Sequence, residues 1–262
     1  MAGSGFGTNF RITTWGETHG AGVGVVVDGC PAGLPLERED VQKYLDRRKP
    51  GQSKYTTQRK EGDQVEILSG IFEGRTTGTP ISMVVYNKDQ RSKDYSNIKD
   101  IYRPGHADFT FDMKYGFRDY RGGGRSSGRE TIGRVAAGAV AAKVLKELGI
   151  EIKAYAKAIA GIEVSKDHFD FAEMNNNPFN MPDKEAAKLV QEKADQMIKE
   201  MDSIGGIIEC QITGMPVGIG ETVFDKLDAE LVLLGYTANF LYRRHLRSVF
   251  LLQLRICQRK IP

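Results

Sequence analysis

The sequence predicts an α+β fold, and three observations carry that expectation. Short runs rich in β-branched residues, such as Gly22–Val27 and Ile81–Tyr86, have the length and composition of strands. Two longer stretches, one opening near Ser127 and one at Asp183–Met201, carry helical patterns with start signals. The order is strands, helices, then strands again, which is not the regular alternation of a doubly wound sheet.

The elements follow in order. Phe10–Thr14 and Gly22–Val27 are predicted strands, and the TTWGETHG loop between them holds His19 between Gly16 and Gly20. A tight turn there would present the imidazole at a sheet end, where its near-neutral pKa suits proton transfer; a lone loop histidine at the surface is the plainer reading. Leu36–Arg47 predicts a short amphipathic helix. Arg47–Lys60 then has six basic residues in fourteen and no acid. That run is either a solvated charged loop or a phosphate-binding loop; with Tyr55 as its single aromatic it lacks the stacking ladder of an RNA contact.

Gln64–Ile71 and Ile81–Tyr86 are predicted strands around a polar turn, and Asp89–Asp100 is polar and irregular. Arg103–Gly149 is the stretch on which the chain turns. Gly122, Gly123 and Gly124 lead into a helix that Ser127 could cap, with Glu130 three residues on as a capping box and Gly149 as the stop. Arg121, Arg125, Arg129 and Arg134 crowd that helix start, a recipe for holding phosphate. A buried helix behind a flexible loop is the competing reading. The Ala- and Gly-rich helix is narrow enough to pack closely in the core. His106 and Asp108 lie just upstream in a Pro-Gly turn. No Gly-Lys-Ser/Thr follows the glycines, so this is not a P-loop. Beyond it, Glu151–Ile162 and Ile207–Thr213 are predicted strands, Asn175–Pro178 an exposed loop, and Asp183–Met201 a helix capped by Asp183.

At 262 residues the chain is long enough for one large domain or two small ones. A net charge of +3 gives no whole-molecule argument for nucleic acid. Cys30, Cys210 and Cys257 are odd in number and far apart, which fits a reducing compartment and argues against a disulfide framework or a zinc site. With no leader pattern and no membrane-length apolar run, the expectation is a cytoplasmic protein with no membrane or nucleic-acid partner.

Leu231–Pro262 differs from the rest: it holds five Arg, one Lys and one His, and no Asp or Glu. Its apolar runs show neither a clean helical nor a clean strand period. It reads either as a basic amphipathic tail or as sequence out of the native frame.

His19, His106 and Arg125 then add up to a family. FGTNFRITTWGETHG, DRRKPGQSKYTTQRKEGDQVEILSGIFEGRTTGTPI, RPGHADFTFDMKYGFRDYRGGGRSSGRETIGRVAAGA, MDSIGG and GMPVGIGETVFDKLDAEL all resemble chorismate synthase. The resemblance spans residue 1 to about 231, so the expected organisation is a family domain over 1–230 and an atypical tail over 231–262, the out-of-frame reading being preferred. It implies a layered β-α-β sandwich, incomplete at the C-terminus, usually assembled as a homotetramer. The implied reaction is 1,4-anti elimination of phosphate from 5-enolpyruvylshikimate 3-phosphate, giving chorismate in the shikimate pathway of aromatic amino acid biosynthesis. It requires reduced FMN, with NADPH serving indirectly to reduce the flavin.

By the same resemblance His19 would protonate the leaving phosphate and His106 would sit against the reduced flavin. Arg125, Ser126 and Ser127 match the FMN-contacting run. Arg48, Lys54, Arg129 and Arg134 would hold substrate or NADP phosphate; Lys54 stands where relatives often have arginine and lacks its bidentate fork. Gly128 replaces the usual alanine. Relatives continue past KLDAEL with an Asn-Ala pair, a Lys-Pro-Thr-Ser loop, an Arg-His-Asp-Pro motif and a catalytic aspartate, none of which is found here. The expectation from that departure is weak FMN binding, and the alternative reading is an inactive, flavin-free remnant that pairs with other subunits.

Overall fold

The computed structural model describes residues 3–56, 61–88, 99–231 and, as backbone, 250–258. The chain forms two compact units, divided between Leu148 and Gly149.

The first unit is built on an antiparallel sheet. Its strands are β1 (Gly5–Phe6), β2 (Arg11–Gly16), β3 (Gly22–Asp28), β4 (Val65–Ile67) and β7 (Ile81–Tyr86), in the order β1-β2-β3-β7-β4. A small hairpin, β5 (Ile71–Phe72) with β6 (Arg75–Thr76), stands apart. Val25 lies opposite Thr14 on one side and Met83 on the other. Val23, Val25, Val27, Ile81, Met83 and Val85 are buried in one core with α1 (Arg38–Arg48) and α3 (Thr131–Glu147). Each such side chain contributes about 1.5–3 kcal/mol of transfer free energy.

Small residues let α3 lie close to the sheet, as its composition predicts. A Cβ on Gly133 would stand 3.0 Å from both the Gly24 carbonyl oxygen and Thr14 Cγ2. Lys143 of α3 donates to Asp40 of α1, and Asp40 also accepts from the Glu37 N–H at 3.0 Å, closing the start of α1. α2 (Asp108–Tyr115) follows the Pro-Gly turn.

Two expectations need correction in this unit. The strand predicted over 64–71 splits at Leu68–Gly70, where the Ser69 hydroxyl donates to the Pro80 carbonyl and accepts from the Ser82 N–H, drawing the chain off the β7 ladder. The capping box at Ser127 and Glu130 does not form. Ser127 Oγ accepts from the Arg129 N–H and caps a single 3-10 turn, Gly128–Glu130; α3 starts only at Thr131. Glu130 pairs with Arg125 and Arg134 instead of reaching back to Ser127.

The second unit carries β8 (Glu151–Ile159), β9 (Ile162–Glu163), α4 (Lys184–Glu200), β10 (Gly206–Met215) and β11 (Phe250–Gln258), with sheet order β11-β10-β8-β9. Asp183 caps α4 as predicted, accepting from the Glu185 and Ala186 N–H groups. Although burial opposes it, these bonds and one from the Ser165 N–H hold its carboxyl below the usual range. α4 buries Ala186, Ala187 and Val190 against Ala156, Ile159 and Met181.

One element of the tail is described. Residues 250–258 form a strand, parallel to β10 and in continuous register from Gly206↔Phe250 to Thr213↔Cys257. Its own periodicity does not announce a strand; the free edge of β10, with its row of backbone donors and acceptors, supplies the template. Residues 57–60, 89–98, 232–249 and 259–262, with parts of the basic loop, the polar stretch and the tail, lie outside the described residues.

Candidate functional site

The candidate site lies in the first unit. The β2–β3 turn carries His19. Gly16 opens that turn at φ +85°, and a Cβ there would fall 2.1 Å from the Gly22 carbonyl oxygen, so the turn needs glycine. His19 is only 8% exposed. Asn87, just past β7, grips the turn from below: its Nδ2 donates to the carbonyls of Glu17 and Gly20, each at 2.8 Å, and its backbone N–H donates to Ala21 at 3.0 Å. Thr18 Oγ1 donates to the Gly124 carbonyl at 3.3 Å, joining the His19 turn to the glycine turn.

Arg125 anchors the glycine turn to the sheet. Its guanidinium donates to the carbonyls of Gly16 and Thr14, both at 3.1 Å, and to Thr14 Oγ1 at 2.8 Å. Ser126 Oγ donates to the Gly123 carbonyl. The other arginines at the helix start are also engaged: Arg121 with Asp119 at 2.6 Å, Arg134 with Glu130 at 3.0 Å.

Arg129 belongs to a buried network that includes residues sequence reading missed. Its Nη1 donates to Asp63 at 2.7 Å and its Nε to Asn87 Oδ1 at 2.6 Å; Glu61 Oε2 lies 3.8 Å from its Nη2. Arg48 takes the other oxygen of Asp63 at 2.7 Å and donates to Thr131 Oγ1 at 3.1 Å. Arg129 Nη2 and Arg134 Nη2 are buried with no hydrogen-bond acceptor among the described residues. Spare buried donors of this kind suit an anion.

The Pro-Gly turn is held by a salt bridge. Arg103 forks onto Asp108 at 2.8 and 2.9 Å and also donates to the Gly122 carbonyl at 2.9 Å. The hydrogen-bonded Arg103 guanidinium lowers the Asp108 carboxyl to a pKa of about 2. His106 is half-buried, with Nδ1 3.1 Å from the Pro104 carbonyl oxygen.

A cavity of about 250 Å³ opens where these parts meet, lined among others by Glu17, Asp108, Phe111, Phe117, Arg125 and Ser126. The His19 turn, the turn after His106 and the glycine turn thus contribute walls to one space. His19 and His106 are not among the residues that line it. Asp119, also at the wall, is held below the usual carboxylate range first by Arg121, with the charge of His19 adding to it. Lys54 Nζ lies over the Tyr55 ring, 5.2 Å from its centroid.

Asp63 and Glu61 begin two residues apart just after the basic run, and that juxtaposition of charge was the available signal. Asn87 had none beyond its place after a strand.

The sequence profile described as chorismate synthase matches residues 10–235. The chain is similar to the chorismate synthase of Lachnospira eligens, at 69% identity over 231 residues that cover 88% of this chain and 63% of that protein. That of Agathobacter rectalis is 63% identical over the same shares. A solved structure titled as a chorismate synthase superposes with a TM-score of 0.69 at 29% identity, covering 88% of this chain and 66% of that one. The chain thus spans 63% of the length of the curated relatives it matches first.

Proposed function

This chain belongs to the chorismate synthase family, and we propose that it serves that family's lyase reaction on 5-enolpyruvylshikimate 3-phosphate. In a 1,4-elimination the ring C–O bond to phosphate breaks, a hydrogen leaves the far carbon and a second ring double bond forms, with no net oxidation. The observation that carries the reading is the shared cavity walled by the His19, His106 and glycine turns.

The departing phosphate needs a proton and compensating charge. His19, mostly withdrawn from water, would hold the proton at its imidazole and pass it to the phosphate oxygen. The spare Nη2 donors of Arg129 and Arg134 would bind phosphate oxygens, while the rest of each guanidinium is fixed by Asp63, Asn87 and Glu130. Arg48, tied to the same Asp63, would orient the substrate's anionic end, and Lys54 would add looser positive charge.

The residues present fit a reduced flavin in their chemistry: Phe111 and Phe117 offer apolar walls, and the glycine turn with Arg125 and Ser126 offers close, polar backbone. Reduced FMN would lend electron density as phosphate leaves and recover it afterwards, NADPH being the indirect reductant. His106, Arg125, Ser126 and Ser127 would hold it. A homotetramer in the cytoplasm completes the reading, with residues 1–230 as the family portion.

Isothermal titration of the full chain with FMN and with 5-enolpyruvylshikimate 3-phosphate tests it. Saturable binding of both is expected, weak for FMN and tighter for the substrate when flavin is bound; absence of heat with either ligand overturns the reading.

A further inference from the structure

We propose that Asn87 is a positioning residue for His19, and that the buried Asp63–Arg129 pair fixes Asn87 in the orientation this needs. The inference rests on the reading of His19 as the proton donor. Within the His19 turn the Glu17 N–H donates to the Gly22 carbonyl at 3.2 Å and the Gly20 N–H to the Glu17 carbonyl at 3.2 Å. Thr18 Oγ1 adds a bond to the Gly124 carbonyl at 3.3 Å, and all three are at the long end of the hydrogen-bond range. Asn87 adds three shorter ones, two from its amide and one from its backbone, and they bracket His19 on both sides.

An asparagine amide can face either way, and only one orientation suits this task. Both Nδ2 hydrogens are used on the Glu17 and Gly20 carbonyls, so Oδ1 must accept elsewhere. Arg129 Nε supplies that donor at 2.6 Å, and an arginine cannot accept, so it excludes the flipped amide. Arg129 is held in turn by Asp63, whose side chain is fully buried and whose second oxygen is taken by Arg48. A chain of charge-assisted contacts thus runs from the Arg48 end of α1 to the turn that presents the imidazole, with Asn87 as the last member.

The test uses the full chain and two readouts that need no turnover. The reaction of His19 with diethyl pyrocarbonate is followed residue by residue, alongside its imidazole C2–H resonance, assigned by its loss in His19→Gln. In Asn87→Asp, nearly isosteric and still an acceptor for Arg129, the two amide donors are gone. His19 is expected to react about tenfold faster and its resonance to move or broaden, while His106 and His168 keep their wild-type rates. Asn87→Ala is expected to do the same; should it not fold, the aspartate variant alone decides. Unchanged His19 reactivity in folded Asn87→Asp overturns the proposal. Addition of inorganic phosphate separates this from the functional reading. If wild-type His19 is indifferent to phosphate yet responds to Asn87→Asp, the positioning role stands and the assignment of His19 to phosphate departure falls.

Discussion

Arg129 and Asp63 form a buried ion pair at 2.7 Å, and Arg48 meets the same carboxylate at 2.7 Å from the other side. One fully buried acid therefore orders two of the cations that were read from sequence as phosphate ligands. Charges desolvated to this degree are stable only as a set.

Removing the central acid should be costly. Asp63→Ala leaves two facing guanidinium groups in the interior, and the expected loss is about 3–5 kcal/mol of unfolding free energy. Urea denaturation measures it; a midpoint equal to wild type would show that the network bears no weight.

The Pro-Gly turn should respond to acid. Asp108 has its folded pKa depressed to about 2, below the ordinary carboxylate value, so its stabilisation is present above roughly pH 4 and lost as pH falls from there through 2. With Arg103 partly solvated, the amount is about 1–2 kcal/mol. Arg103→Gln should be less stable above pH 4 and should lack that part of the acid slope. Parallel stability-versus-pH curves for the two proteins would contradict the assignment.

Two glycines on α3 should behave oppositely. Gly138 is exposed, and a Cβ placed on it would meet nothing within 4 Å, so Gly138→Ala should stabilise by about 0.4–1 kcal/mol. Gly133→Val pushes branched carbon onto Gly24 and Thr14 and should cost about 1–3 kcal/mol. Thermal unfolding of both variants reads the difference directly, and the same sign in both would refute the packing described.

The β10–β11 pairing is open to a backbone test. Successive N–H groups of an edge strand point to opposite sides, so Leu252→Pro with Gln253→Pro removes a donor toward β10 whichever way the strand faces. Faster amide exchange along Ile207–Ile212 is expected. Exchange identical to wild type would mean that the tail does not protect that edge.

The elements with strong local signals were legible. Asp183 before a periodic run, and the Ala-rich run ending at Gly149, mark α4 and α3 because capping and small-residue packing are written within a few positions. Signals that depend on distant partners were not legible. Glu130 has the spacing of a capping box, but arginines from both sides claim it. The strand at 250–258 owes its form to β10. Arg121 and Arg134 pair within four positions, with Asp119 and Glu130, whereas the partners of Arg48, Arg125 and Arg129 include groups up to 111 positions away, which no local pattern encodes. The family motifs place His19, His106 and Arg125 at one site; the cavity is lined by Glu17, Asp108 and Arg125 from those stretches, and the two histidines are not in its lining.

The most direct measurement is anaerobic release of inorganic phosphate from 5-enolpyruvylshikimate 3-phosphate by the full chain with reduced FMN, in wild type and His19→Gln. Release by wild type, slower by about 10²–10⁴-fold in the variant, is expected of a proton donor at that position. No release by the wild-type chain, or equal rates in the two proteins, would contradict it.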